Sequence, residues 1–237
     1  MNKISFKVNR ETLAGNIFYP PKIKKLNPAV LFIHGWQSNQ TGYFPRAEAG
    51  TKEDAICLTF DLRGHGQSAG DLKTFSRKDH LNDVLAAYDF LVSQPQVDKN
   101  KIGVVGASYG GYLASILTSR RKIKWLVLRV PALYSNTDFD LPTALLIEQK
   151  GEDIFKQKFL EENNFVLESL KRYLNHALLI ECGKDQIIPP QIILNYKKAL
   201  QNNQNFIYEL LKNADHSLSK KKDKLAFINL LGKYFRN

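Results

Sequence analysis

At 237 residues, with 43% hydrophobic and 24% charged side chains, the chain can bury a sizeable core and is expected to form one domain, residues 1–237. No apolar run approaches membrane-spanning length, and Met1–Val8 lacks the apolar core of a signal peptide, so a soluble cytoplasmic protein without membrane insertion is expected. The net charge of +11 comes from lysines spread along the chain, with small clusters at Lys22–Lys25 and Lys220–Lys224. No aromatic-interleaved basic stripe accompanies them, which favours solvated lysine faces over nucleic-acid binding.

Taken in order, Ile4, Phe6 and Val8 and then Leu13, Ile17 and Tyr19 alternate with polar residues, predicting an antiparallel pair at a sheet edge. Residues 29–33 form a short buried strand that opens into His34-Gly35-Trp36-Gln37. A helix is expected within 41–54, with ends that the poor pattern does not place. Residues 55–60 are the next buried strand, leading into Asp61-Leu-Arg-Gly-His-Gly-Gln-Ser68. From Asp79 to Ser93 the apolar residues Leu81, Val84, Leu85, Tyr88, Leu91 and Val92 follow helical spacing, with His80 opening a surface helix. A strand over 102–105 turns through Gly106-Ala107-Ser108-Tyr109-Gly110 into a helix from Tyr112.

Another strand follows at 125–131. Residues 132–175 break the alternation, with helical patterns at 145–149 and 152–173, and are expected to form a small cap; a plain helical crossover is the alternative. Residues 177–182 return to strand, a helix begins at Pro189-Pro190, 206–211 is the last strand, and an amphipathic helix ends the chain. Strands alternating with helices predict an α/β class fold, a mainly parallel sheet with helices on both faces. Cys57 and Cys182 lie inside strand patterns and are expected as buried free thiols; neither has metal-ligand spacing, so neither a disulfide nor a metal is expected.

The chemistry centres on Ser108. A serine flanked two positions away by glycines, after a strand and before a helix, is the nucleophile elbow of α/β serine hydrolases. A Cβ at Gly106 or Gly110 would collide with neighbouring backbone, and the serine is held in a strained turn that exposes its hydroxyl. That hydroxyl needs an imidazole to take its proton and a carboxylate to orient the imidazole. His216, after the last strand, fits the order serine, acid, histidine better than His34, His65, His80 or His176. Asp185, in the turn after the strand at 177–182, is preferred as the acid over Asp138, Asp140 and Asp215. Oxyanion donors are expected from the backbone N–H groups of Tyr109 and Trp36, with Gln37 in reserve. Trp36 and Tyr109, with Tyr134, Phe139 and Ile187, are expected to line a moderately apolar substrate pocket.

Four motifs carry a resemblance: His34-Gly35-Trp36, the Asp61–Ser68 loop, Gly106-Ala-Ser-Tyr-Gly110, and the pair Asp185 and His216. In this order they resemble the α/β-hydrolase superfamily, and within it small serine esterases and dienelactone-hydrolase-like or prolyl-oligopeptidase-like members. The resemblance implies that fold with a small helical cap, Ser108 as nucleophile, His216 as base and Asp185 as orienter, with the Asp61–Ser68 loop structural. It also implies a cofactor-free hydrolase acting on a small-molecule ester through an acyl-serine. Serine rather than aspartate or cysteine at the elbow sets it apart from dehalogenases, epoxide hydrolases and dienelactone hydrolases proper. Lack of the N-terminal propeller of large oligopeptidases makes an ester the expected substrate. An aminopeptidase or acyl-peptide hydrolase of the same fold, and a non-catalytic binding scaffold, are the alternatives.

Overall fold

Runs of β-branched and aromatic residues, four to eight long and bounded by glycine or polar turns, become strands because they pack well on a pleated, buried surface. The computed structural model describes residues 1–150 and 164–236, and among these eight strands form a single sheet. They are β1 (Asn2–Val8), β2 (Glu11–Phe18), β3 (Asn27–Ile33), β4 (Ile56–Phe60), β5 (Val97–Ala107), β6 (Trp125–Arg129), β7 (His176–Cys182) and β8 (Phe206–Leu211). Their spatial order is β1-β2-β4-β3-β5-β6-β7-β8; β1–β2 and β2–β4 pair antiparallel and the others parallel. β4 and β6 are buried at every position, as befits strands covered on both faces.

The helices divide into two layers. On one face α1 (Phe44–Thr51) packs against α7 (Lys221–Phe235). On the other, α2 (Arg77–Val92), α3 (Tyr109–Leu117), α5 (Phe165–Lys171) and α6 (Pro190–Leu200) pack in succession. This is the α/β-hydrolase architecture that the motifs implied. Chain order turns back between β3 and β5, because β4 lies on one side of β3 and β5 on the other. Open α/β sheets bind ligands at such a switch point, outside the carboxyl ends of the strands.

Three boundaries differ from the sequence expectation. β5 starts at Val97, which pairs with Asn27; the polar residues 98–101 lie in a register irregularity before pairing resumes at Ile102 opposite Ala29. The region 41–54 splits into a 3₁₀ turn, Gln40–Tyr43, and α1, which has proline in its first turn. In the insertion, α4 (Thr143–Lys150) packs against the short turn Leu72–Thr74, while α5 packs against α3 and α6 as part of the helical layer. The helix expected over 152–173 lies partly outside the described residues. Cys57 and Cys182 are buried and unpaired. Among the described residues no helix is long and apolar enough to cross a membrane.

The Asp61–Ser68 loop is tied down from every side. The Asp61 carboxylate accepts from Gln40 N, Gln40 Nε2 and Gln67 N at 2.7–3.0 Å. Ser68 Oγ donates to Asp61 O and accepts from Ala14 N. Arg63 joins the loop to α2 through Asp83: its backbone N–H and its Nε and Nη2 groups all donate to that carboxylate at 2.5–2.9 Å. Both side chains are almost wholly buried, at 3% and 0% exposure. Removing one partner from such a pair strands the other charge in a low dielectric. We expect Asp83→Ala to lower the unfolding free energy by about 3–5 kcal/mol. Breaking the exposed Lys78–Asp140 pair with Asp140→Ala should cost under ~1 kcal/mol in the same urea titrations.

Candidate active site

Ser108 stands between β5 and α3 with φ 52° and ψ −119°, outside the regions that L-residues ordinarily occupy. Close packing holds it there. A Cβ on Gly106 would come within 2.8 Å of Gly111 Cα, and one on Gly110 within 2.6 Å of His34 O. Helix α3 can therefore start hard against the end of β3 only with glycine at both places. The strain is shared along one rim of the sheet. Gln37, Ser108, Val130 and Leu218, which follow β3, β5, β6 and β8, all have positive φ. For β-branched Val130 this is a real outlier, held by a hydrogen bond from its N–H to Ile180 O.

The loops after β7 and β8 bring Asp185 and His216 together. His216 Nδ1–H donates to Asp185 Oδ2 at 2.7 Å, which leaves Nε2 as the basic nitrogen. Asp185 Oδ1 accepts from the N–H groups of Ile187 and Ile188 at 2.7 and 3.0 Å. Burial pushes the Asp185 carboxyl upward, but the bonds from His216, Ile188 and Ile187 outweigh it and hold the group below the usual carboxylate range. Arg129 Nη1 donates to the His216 carbonyl and fixes that loop from β6. Ser108 and His216 both line a cavity of about 420 Å³. No hydrogen bond joins the Ser108 hydroxyl to the imidazole in this structure. In unliganded sites such contacts are commonly long and tighten when substrate binds.

The turn after β3 lies beside the elbow: a Cβ on Gly35 would stand 3.6 Å from Ser108 Cβ. Tyr109 N–H is the first of α3 and has no acceptor within the helix. Gln37 N–H, the reserve donor, is directed to His65 Nε2 at 3.3 Å, so it serves the turn. The indole of Trp36 meets the Tyr109 ring edge to face at 5.3 Å, and lies at 5.4 and 5.9 Å from His65 and His80. The two residues expected to supply the oxyanion donors are thus packed against each other. Tyr134, Phe139 and Ile187 do not border the cavity that holds Ser108 and His216. Tyr134 packs on Tyr109 and Tyr112, Phe139 packs on Phe165, and Ile187 is exposed beyond Asp185.

His80, expected on a surface helix, is fully buried instead. Its Nε2–H donates to Arg63 O at 3.2 Å, and Nδ1 accepts from the Tyr109 hydroxyl at 2.8 Å. His34 donates from Nδ1 to Gly35 O and accepts at Nε2 from Leu62 N–H. His65 donates from Nδ1 to Arg63 O. Every ring nitrogen in this cluster is engaged, and the carbonyl partners fix each neutral tautomer. A signal for His80 was present: the buried positions Arg77, His80, Leu81 and Val84 extend the apolar stripe of α2 back by one turn. Arg129 carried a signal too, as a lone charge ending the apolar run of β6. Among the described residues no group of three or more His, Cys, Asp or Glu side chains is placed to hold a metal ion.

Burial, reinforced by neighbouring His65, lowers His34 to about 4 and His80 to about 3, and burial lowers His65 as well. These folded values lie below the unfolded value near 6.5, so the unfolded chain binds more protons in acid. The stability that the neutral rings contribute is complete above about pH 6.5 and drains away as pH falls toward the folded values. Asp83, which burial pushes up to about 6 against the pull of Arg63, acts with the opposite sign between about pH 4 and 6. We expect His80→Gln to flatten the acid limb of stability against pH by about one proton near pH 4.5, read from urea midpoints in a pH series. An unchanged limb would mean that this ring is not kept neutral.

The sequence matches the prolyl oligopeptidase family over residues 43–237. It is 27% identical over 197 residues to the mitochondrial palmitoyl-protein thioesterase ABHD10 of Rattus norvegicus, covering 71% of this chain and 62% of that protein. The chain thus spans less than two thirds of that relative. Among solved structures it is similar to an esterase of Pyrococcus furiosus, with TM-score 0.76 and 19% identity over 99% of this chain and 90% of the other. It is similar as well to the acylaminoacyl peptidase of Pyrococcus horikoshii, with TM-score 0.76 and 19% identity over 100% of this chain but 41% of that one. At such identities the structures speak for the fold, and the family match covers most of the chain. The protein belongs to the prolyl oligopeptidase family, on an α/β-hydrolase fold.

Proposed function

We propose that the protein is a serine hydrolase that cleaves carboxylic esters or thioesters through an acyl-serine. The observation that carries this reading is the Asp185–His216 hydrogen bond of 2.7 Å, set at the rim of the cavity that Ser108 also lines. His216 Nε2 takes the Ser108 proton as the hydroxyl oxygen attacks the acyl carbon, while Asp185 holds the ring by its Nδ1–H and stabilises the imidazolium. The carbonyl oxygen, now negative, lies between Tyr109 N–H and Trp36 N–H. Collapse of the tetrahedral species expels the alcohol or thiol, which takes the proton from His216. Water then enters, gives a proton to the same nitrogen, and releases the acid from Ser108. Peptide or acyl-peptide hydrolysis is the second reading, favoured by the family match over residues 43–237.

A fluorophosphonate probe should label the protein at neutral pH, and Ser108→Ala should abolish the labelling. His216→Ala should lower kcat on p-nitrophenyl esters by about 10³-fold or more. Absence of labelling in the wild-type protein would end the serine-hydrolase reading. Aminoacyl-nitroanilides cleaved faster than esters and thioesters of matched acyl groups would move the assignment to the peptidase reading.

A further inference from the structure

Among the described residues, the cavity beside Ser108 is lined by cations and by no carboxylate. Arg129, at the end of β6 and abreast of Ala107 on β5, is 8% exposed. Its Nη1 donates to His216 O and approaches Cys182 Sγ at 3.9 Å, but its buried Nε has no partner. Arg46, on α1 across the cavity, is half-buried; Nη1 donates to Gly42 O and its buried Nε also has no partner. Both guanidinium groups lie over the Phe227 ring, at 5.8 Å for Arg129 and 5.2 Å for Arg46, and Arg46 also lies over Tyr43 at 5.2 Å. Lys224 stands exposed on the same wall.

Two guanidinium groups that share one aromatic ring repel each other, and each is only partly hydrogen-bonded. A guanidinium offers five N–H donors and cannot shed its charge. Gly42 O on Arg46, and His216 O, Cys182 Sγ and the Tyr43 hydroxyl around Arg129, leave part of that capacity unused, including both buried Nε groups. Among the described residues no carboxylate pairs with Arg46, Arg129 or Lys224. Glu53, close to Arg46 in sequence, is engaged by Arg236. Asp223, beside Lys224, is buried but does not line the cavity. Burial and the charge of Arg129 both pull the Arg46 pKa down, and only Tyr43 opposes them. Such an arrangement is stabilised by a group that brings negative charge and oxygen acceptors.

We infer that this cavity receives an anionic group of the substrate: the ester or thioester cleaved at Ser108 carries a carboxylate or phosphate that lies against Arg46 and Arg129. The inference rests on Ser108 acting as the nucleophile. Arg46 is then a specificity-determining residue. Arg129 has two tasks, gripping the anion and holding the His216 loop.

Two matched pairs test this and separate the two anions. Mono-p-nitrophenyl adipate is compared with its neutral methyl ester, and S-hexanoyl phosphopantetheine with S-hexanoyl pantetheine. In at least one pair the anionic member should have the higher kcat/KM by about tenfold or more, chiefly through KM. The responding pair identifies the anion. Arg46→Gln should bring that ratio toward one, and Arg46→Lys should keep part of it. A wild-type ratio of one or less in both pairs, or a ratio unmoved by Arg46→Gln, overturns the inference and leaves the esterase reading standing. Calorimetry on Ser108→Ala needs no turnover: monomethyl adipate or phosphopantetheine should bind measurably better than dimethyl adipate or pantetheine. Equal binding overturns the inference, whereas anion-selective binding without turnover of any substrate upholds the anion site and sinks the hydrolase reading instead.

Discussion

The molecule is arranged around one close approach. Helix α3 begins against the carboxyl end of β3, at a distance that leaves no room for a side chain at Gly106 or Gly110. That contact twists Ser108 out of the common backbone regions and lifts its hydroxyl above the sheet. It also places the turn after β3 within reach of the same hydroxyl, because β3 and β5 are neighbours with Ile33 opposite Gly106. A few kcal/mol of backbone strain persists here because the surrounding sheet and helices over-determine the turn.

What over-determines it is a buried polar layer beneath the turn. His34, His65 and His80 are neutral and fully bonded; the His65 ring meets those of His34 and Trp36 edge to face, and the His80 ring meets those of Trp36 and Tyr109. The Arg63 carbonyl accepts from both His65 and His80, and the Arg63 side chain is held by Asp83. The Asp61–Ser68 loop, α2 and the elbow thereby become one hydrogen-bonded unit. Neutral imidazoles suit this task, since each can donate and accept at once without the cost of burying a charge. On the opposite side of Ser108 the design is reversed. There Arg129 from β6 and Arg46 from α1 place their guanidinium groups over Phe227 of α7, each with a buried Nε that has no partner. One side of the elbow is closed by satisfied neutral groups; the other is open and positive.

Much of this was legible in the chain. Seven of the strands are continuous apolar or alternating runs close to where the structure has them, and the exception is the start of β5, where largely exposed polar residues lie in a register irregularity. The elbow was legible because its glycines and serine are demanded by local sterics, which sequence spacing records directly. Asp185 and His216 were legible from their places after β7 and β8, since strand ends on a parallel sheet share one rim. His80 was missed: its place one turn before the apolar stripe of α2 hinted at burial but not at the neighbours that bury it. Arg129 was passed over as part of a strand run, and its neighbours Tyr43, Arg46 and Phe227 come from elements more than eighty residues away in sequence.

The sequence by itself determined the parallel α/β layering, the strained serine turn and the set of loops that meet at its rim. These follow from short-range rules: side-chain period, glycine sterics and the order of strands and helices. Only the tertiary structure decided that His216 bonds Asp185, that three imidazoles are kept neutral beneath the turn, and that two guanidinium groups with no carboxylate partner among the described residues line the cavity beside Ser108. Those outcomes depend on burial and on partners brought together from distant strands and helices, and the energy of a polar group is set by its surroundings rather than by its place in the chain.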